Sequence, residues 1–357
     1  ILAASGNAPD MLRHIPGVQV DMKQNISLEG DPNILICVDG RERDKAYISQ
    51  LNPGQVDRVE ILDTPPSNYD GSISGVINIV LKKESEKGFS GQLFTEIPTS
   101  KSIVYSFPTY SIHYGFKKLN LFTSYNGEIN FENIDESTFR KIKDGSEITE
   151  LASVQGVRQK NLSHKFHYGF DYYLTSRDMI NFYGFYNPYS YEQDGKVTTE
   201  ISGSDSEILR TQREENDKNR SLFNSVYYKH LFNDEGSEIT MDISNNYLRS
   251  RNSVAYLDDE ENGTVSHKNT EHPEQRSTSV KVDFVTPIGN RVSISAGGKS
   301  WIKTMEDETS TGFHYREKLV AVYGSLGYKH PEYDFNIGLR AENTSSELEN
   351  AFDRSEF

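Results

Sequence analysis

From residue 89 to residue 345 the chain repeatedly alternates apolar and polar side chains, a period of two that excludes a helical fold for most of its length. In Tyr333-Asp334-Phe335-Asn336-Ile337-Gly338-Leu339-Arg340-Ala341-Glu342 the odd positions are apolar and the even ones polar or glycine. The same pattern sets Leu121, Tyr125, Ile129 and Phe131 against Asn120, Asn126, Glu128 and Asn130, and aligns Phe166, Tyr168, Phe170, Tyr172 and Leu174 on one side. About eleven strands follow, at 89–97, 104–116, 119–132, 163–175, 179–192, 219–232, 237–250, 277–287, 291–303, 317–329 and 333–345. Those at 179–192 and 219–232 rest more on position than on pattern.

The links between strands carry further information. Short ones fall at Lys117-Lys118, 176–178, 233–236, 288–290 and 330–332, and long polar ones at 133–162, 193–218, 251–276 and 304–316. Short and long alternate, so one end of the meander carries tight turns and the other long loops. Transmembrane β-barrels of the outer membrane have this asymmetry. Phe116, Tyr172, Tyr173, Phe182, Tyr183, Tyr227, Tyr228, Tyr328 and Tyr333 crowd the short-turn end, where a membrane–water boundary suits amphipathic rings. No segment approaches the ~20 consecutive apolar residues of a spanning helix. An odd strand count does not close a single-chain bacterial barrel, so the expectation is an N-terminal portion of a larger one. The 38 basic and 53 acidic residues give a net charge of −15, which disfavours nucleic acid as a partner. Cys37 is the sole cysteine and lies in the apolar run Ile34-Leu35-Ile36-Cys37-Val38, so a buried, inert thiol is expected and an intramolecular disulfide excluded.

Residues 1–84 differ in texture. Ala8–Ile15 reads as a short helix ending before Pro16-Gly17, 45–51 as a second helical turn or two, and 18–22, 26–28, 34–38, 56–62 and 76–81 as short strands. This is a small α+β unit preceding the β-barrel. Its motifs, in order, are Met11-Leu12-Arg13-His14-Ile15-Pro16-Gly17-Val18, Ile26-Ser27-Leu28-Glu29-Gly30, Ile36-Cys37-Val38-Asp39-Gly40-Arg41, Val56-Asp57-Arg58-Val59-Glu60-Ile61-Leu62, Thr64-Pro65, Tyr69-Asp70 and Gly75-Val76-Ile77-Asn78-Ile79-Val80-Leu81-Lys82-Lys83. Their order and spacing resemble the plug domain of TonB-dependent outer-membrane receptors. Gly338-Leu339-Arg340-Ala341-Glu342 is likewise similar to a barrel strand of one branch. Two positions depart from the family pattern: Glu29-Gly30 stands where Arg-Gly is usual, and Thr64-Pro65 where Gly-Pro is usual.

The resemblance implies a plug over residues 1–84 and the N-terminal half of a barrel over 85–357, with the first plug strand and the TonB box lying upstream of Ile1. The plug signature comprises Pro16, Gly17, Glu29, Gly30, Asp39, Gly40, Glu60, Pro65, Tyr69, Gly75 and Asn78. It also implies uptake of a scarce or large nutrient across the outer membrane of a Gram-negative bacterium. TonB would be the energising partner, outer-membrane lipid the surroundings and a surface lipoprotein a further partner. A receptor that binds or senses without importing is the alternative, and a soluble β-rich enzyme a distant third. No metal or other cofactor is implied.

A polar lumen would grip the plug through reversible contacts; Asn120, Glu128, Asp242, Lys281, Asp283, Lys299, Arg340 and Glu342 lie on polar strand faces and are candidates. Tyr186, Tyr189, Tyr191, Tyr256, His267 and His272, placed towards the outer loops, are candidates for contacting substrate, with an aromatic girdle as the competing role of the tyrosines. Gly298-Lys299-Ser300 ends like a phosphate-binding loop but lacks its leading glycine and reads as strand. The acidic run from Asp258 to Gly263 has Asn269 where a calcium loop needs glutamate. His164 and His167, three apart on a strand, face opposite ways and make a poor metal pair.

Overall fold

The computed structural model describes residues 7–21, 24–49, 51–82, 88–145, 147–203, 206–232, 236–260, 263–307, 309 and 312–350. Up to residue 82 they build α1 (Ala8–Leu12), β1 (Val18–Val20), β2 (Ile26–Leu28), β3 (Ile34–Val38), β4 (Arg41–Glu42), α2 (Lys45–Ser49), β5 (Val56–Leu62) and β6 (Gly75–Leu81). The Asn7 side chain caps α1 by accepting from the Asp10 backbone N–H at 2.8 Å, with Pro9 in the first turn where its missing N–H is no loss. The helix is shorter than the apolar pattern suggested. It stops at Leu12 and passes through turns to Ile15, because Pro16 disfavours helical backbone at the residue before it.

β1 and β2 form a hairpin, while β4-β3-β6-β5 form a sheet in which β3 and β6 run parallel. Met11, Leu12, Val38, Ile48, Ile77 and Ile79 are buried between helices and sheet. Cys37 is buried beside them, and burial, helped by the charge of Glu42, pushes its thiol up to about 12. Maleimide labelling of the folded protein is therefore expected to be at least ~100-fold slower than in denaturant; equal rates would show that the plug opens readily.

The remaining strands are β7 (Gly88–Phe94), β8 (Ile103–Ser106), β9 (Thr109–Phe116), β10 (Leu119–Asp144), β11 (Glu147–Tyr173), β12 (Asp178–Ser202), β13 (Ser206–Leu231), β14 (Glu238–Glu260), β15 (Gly263–Glu271), β16 (Glu274–Ile288), β17 (Val292–Asp307), β18 (Phe313–Lys329) and β19 (Asp334–Asn350). They join in one antiparallel sheet running β19-β18-β17-β16-β14-β13-β12-β11-β10-β9-β7, with β8 and β15 attached to β10 and β14 off that path. The eleven strands of the path correspond to those expected from the alternation, except that the expected 104–116 strand is broken at Phe107-Pro108 into β8 and β9, proline having no N–H for the ladder.

The outer links depart from expectation. Residues 133–144 and 147–162 are not loop but continuous extensions of β10 and β11, in register from Leu119↔Tyr172 to Asp144↔Glu147. The 193–218 link likewise continues β12 and β13, the 251–276 link continues β14 and adds β15, and most of 304–316 belongs to β17 and β18. Backbone pairing carries these extensions; both faces are polar enough to stand in water, so no apolar period marks them.

Strand parity separates two faces. On β18, Leu319, Ala321 and Tyr323 are 6%, 2% and 7% exposed, whereas Val320 and Val322 are 56% and 60% exposed, which sets odd residues inward and even ones outward. Carried across the register, outward positions near the tight turns are apolar: Leu121 and Phe131, Phe166 and Tyr172, Leu222 and Val226, Met241 and Ile243, Val280 and Phe284, Ile337 and Leu339. On β10 the band runs from Leu121 to Phe131, and a tilted strand needs about nine to eleven residues to cross the hydrocarbon layer. Gly169 faces inward, and a Cβ there would lie 2.3 Å from the Phe182 carbonyl oxygen and 2.4 Å from the Phe122 ring. Gly169→Ala is expected to cost about 1–3 kcal/mol through overpacking, read as earlier loss of heat-modifiable mobility in SDS.

Candidate functional site

The plug faces the inner side of the sheet through two short segments. The first runs from β4 into α2. Arg41 Nη1 meets Asp171 Oδ1 at 3.2 Å, and Arg43 Nη2 donates to Asn181 Oδ1 at 3.3 Å while its guanidinium lies 4.1 Å from the centre of the Tyr183 ring. Asp44 Oδ2 accepts from the Tyr183 hydroxyl at 3.1 Å and lies 3.4 Å from His167 Nε2; Asp44 Oδ1 accepts from the Tyr47 backbone N–H at 2.9 Å and lies 3.7 Å from Lys165 Nζ. Burial opposes ionisation of Asp44, but the hydrogen bond from His167, the charge of Lys165 and the Tyr47 N–H outweigh it and hold the carboxyl well below the usual carboxylate range. Tyr47 sets its ring edge-on against Phe122, His167 and Tyr183, with centroids 6.1, 6.0 and 5.5 Å away.

The second segment is the loop between β5 and β6. Asp70 bridges Lys299 Nζ at 2.6 Å and Arg340 Nη2 at 3.0 Å; Arg340 is also held by Glu342 at 2.9 Å. Lys281 lies over the Tyr69 ring at 5.6 Å, and Ser67 Oγ donates to the Gly324 carbonyl at 3.3 Å. A third point joins Gln24 Nε2 to Glu96 Oε2 at 3.2 Å. All eight polar-face candidates lie on the inward face by parity. Lys299 and Arg340 form ion pairs with the plug, Lys281 reaches Tyr69, and Asp283 holds Lys281 at 3.1 Å. Arg43 and Asp44 escaped sequence reasoning because a charged stretch before a helix normally reads as solvated surface; only their inclusion in the plug unit hinted otherwise.

The signature residues act inside the plug. Gly17, Glu29, Gly30, Asp39 and Gly40 all take positive φ, between 50° and 86°, and the Glu29 N–H donates to the Gly17 carbonyl at 2.7 Å. Asp39 accepts from the Leu81 N–H at 2.9 Å, and the Asn78 side chain joins the Gly40 N–H at 2.9 Å to Glu60 at 2.8 Å. A Cβ on Gly75 would come within 2.8 Å of Leu28. Pro16 is exposed, and Pro65 lines, with Tyr69 and Arg340, a cavity of about 540 Å³ between plug and β19.

Above the plug the inward face forms an open chamber. Tyr189, Tyr191 and Tyr256 face into it by parity: the Tyr189 hydroxyl donates to Asn161 at 3.0 Å, Tyr191 to Gln193, and Arg213 lies over Tyr256 at 5.8 Å. His267 pairs in register with Tyr256 on β15. Tyr186 instead points outward between Phe166 and Leu222, in the apolar band and away from Tyr189 and Tyr191 of the same strand. His272 lies apart, its backbone N–H donating to Asp307 at 3.3 Å. Asn161, Arg213 and Glu215, not singled out from sequence, share the face with the three tyrosines, and Arg213 pairs with Glu215 at 2.6 Å. A cavity of about 580 Å³ at this level belongs to the other face of the sheet: most of its lining, including Phe131, Lys160, Glu192, Asp194 and Ala255, is outward by parity.

A plug held inside a wall of antiparallel strands belted with apolar side chains defines an outer-membrane plug-and-barrel protein. Residues 3–76 match the TonB-dependent Receptor Plug Domain, and residues 230–357 match the Outer membrane protein beta-barrel family. The two matches join a TonB-dependent receptor plug to an outer-membrane β-barrel in one chain, the expected resemblance, and place the protein in the Gram-negative outer membrane. Among solved structures it is similar to the ferric citrate transporter FecA in the unliganded form (12% identity, TM-score 0.37, 96% of this chain and 68% of that one). It is also similar to the siderophore receptor PirA from Pseudomonas aeruginosa (12%, 0.29, 96% and 96%) and to the RagAB peptide transporter (10%, 0.37, 96% and 66%). No curated protein matches the sequence.

Proposed function

We propose that this chain provides the plug and part of the wall of an importer that binds a nutrient in the outer chamber and admits it when TonB displaces the plug. The seat of the plug supports the reading. Plug and wall share no strand pairing among the described residues; they meet through side chains around Asp44 and Asp70. Contacts of this kind break and re-form one at a time, as a gate requires. Among the described residues no group of three His, Cys, Asp or Glu is arranged to hold a metal. Binding would fall to the hydroxyl, amide and acidic side chains around Tyr189, Tyr191 and Glu215, suited to a polar ligand rich in hydrogen-bond donors.

The test is growth of a strain lacking the full-length gene on peptides, oligosaccharides or iron chelates as sole limiting nutrient. One class should fail to support it, and uptake restored by the gene should vanish without TonB. Binding that persists without any TonB-dependent uptake would favour the non-importing receptor instead. In the complemented strain, Tyr189→Ala with Tyr191→Ala is expected to raise the half-saturating nutrient concentration by roughly tenfold or more, leaving expression unchanged.

A further inference from the structure

One patch on the outward face runs against the charge of the whole chain, which is −15. Lys218 and Arg220 on β13, Arg249 and Arg251 on β14, and Arg276 on β16 all occupy outward, exposed positions. The register sets Lys218 directly opposite Arg251 and Arg220 directly opposite Arg249, two successive like-charge pairs. Such pairs destabilise a sheet, because directly opposed Cβ atoms lie only about 5 Å apart. Among the described residues the ion pairs made by these five go to Glu274, which lies 3.1 Å from Arg249 and 3.7 Å from Arg276; Glu306, opposite Glu274, turns to His314, and Arg276 lies over the Tyr247 ring at 5.3 Å. Among the described residues no ion pair engages Lys218, Arg220 or Arg251.

The position of the patch points to what completes it. Leu222 and Tyr247 stand two residues nearer the tight turns than Arg220 and Arg249, about 7 Å along each strand; one polar row of Asn224, Asn245 and Thr278 follows, and below it the outward face becomes the apolar band of Val226, Ile243 and Val280. The patch therefore lies where acyl chains give way to headgroups, at the end carrying the strand extensions, which is the outer leaflet. A free anion would need no such edge; a molecule with acyl chains and phosphates would span it. We propose that Lys218, Arg220, Arg249, Arg251 and Arg276 form a docking site for the phosphates of an anionic glycolipid of the outer leaflet, whose acyl chains lie along the band beneath.

The test uses the full-length protein in nonionic detergent, titrated with fluorescent diphosphoryl lipid A and with its dephosphorylated counterpart. Wild type should bind the diphosphoryl form and bind the dephosphorylated form much more weakly. Arg220→Gln with Arg249→Gln should weaken diphosphoryl binding by roughly thirtyfold while retaining heat-modifiable mobility. Lys218→Gln with Arg251→Gln should act in the same direction and serves if the first pair does not fold. Equal affinity of wild type and a folded variant would overturn the proposal. So would equal binding of both lipids, which would leave only the apolar band as the attraction. Displacement of the lipid by inorganic phosphate at equal concentration would overturn it too, as the mark of a site for free anions.

Discussion

Asp44→Ala is expected to raise the rate of protease cleavage within the plug of the full-length receptor by about a hundredfold at pH 7. The side chain is the shared acceptor of Tyr183 and His167 and the counter-charge of Lys165, whose side chain is only 18% exposed. Removing it leaves a hydroxyl, a ring N–H and an ammonium facing one another with no acceptor, a loss of about 3–5 kcal/mol for a buried pair broken from one side. Cleavage unchanged from wild type would mean that the plug is held elsewhere.

The same residue gives the plug a pH dependence of defined sign. The Asp44 carboxyl ionises more readily in the folded protein than in the unfolded chain, so its contribution is complete above the ordinary carboxylate range. It fades as pH falls through the folded value. Thermal unfolding of wild type and of Asp44→Asn, followed downward from pH 7, should therefore keep a constant gap to about pH 4 and begin to draw together only below it. A gap that widened on acidification would assign the opposite sign and reject the mechanism.

Asp70→Ala is the second large effect. Lys299 loses its ion pair and is left with only the more distant charge of Glu42, while Arg340, 11% exposed, keeps Glu342. Because Asp70 itself is 35% exposed, solvent screens part of the attraction. A loss of about 1–3 kcal/mol should lower by on the order of 1 M the urea concentration at which the receptor conducts in a planar bilayer. Pairing Asp70→Ala with Lys299→Met should recover part of that loss, since the ammonium left without its ion pair is then absent; strict additivity would show that the two side chains do not interact.

The strands of the wall were legible because one face of each is apolar and the other polar within the membrane. Beyond the band that contrast disappears. Asn133, Asp135, Ser137 and Glu136 give no period, yet they lie in β10 because β11 pairs with them residue for residue. Lys299 and Arg340 could be placed on the inward face from parity alone. Their partner could not: Asp70 lies 229 and 270 residues away, and no local pattern reports so distant a pairing. Asp44 was hidden for the same reason, with partners on two different strands. Tyr186 shows the limit of position along a strand, since it lies at the level of the chamber entrance and parity alone sends it to lipid while Tyr189 goes inward.

The paired strands run without a register shift from the seat of the plug to the outer tips of β10 and β11, and of β12 and β13. Inserting one residue between seat and tip would exchange every inward side chain beyond it for an outward one; inserting two would preserve them all. Lineages descended from this architecture can thus lengthen or trim the outer hairpins in steps of two per strand, reshaping what is captured outside without disturbing how the gate is latched below.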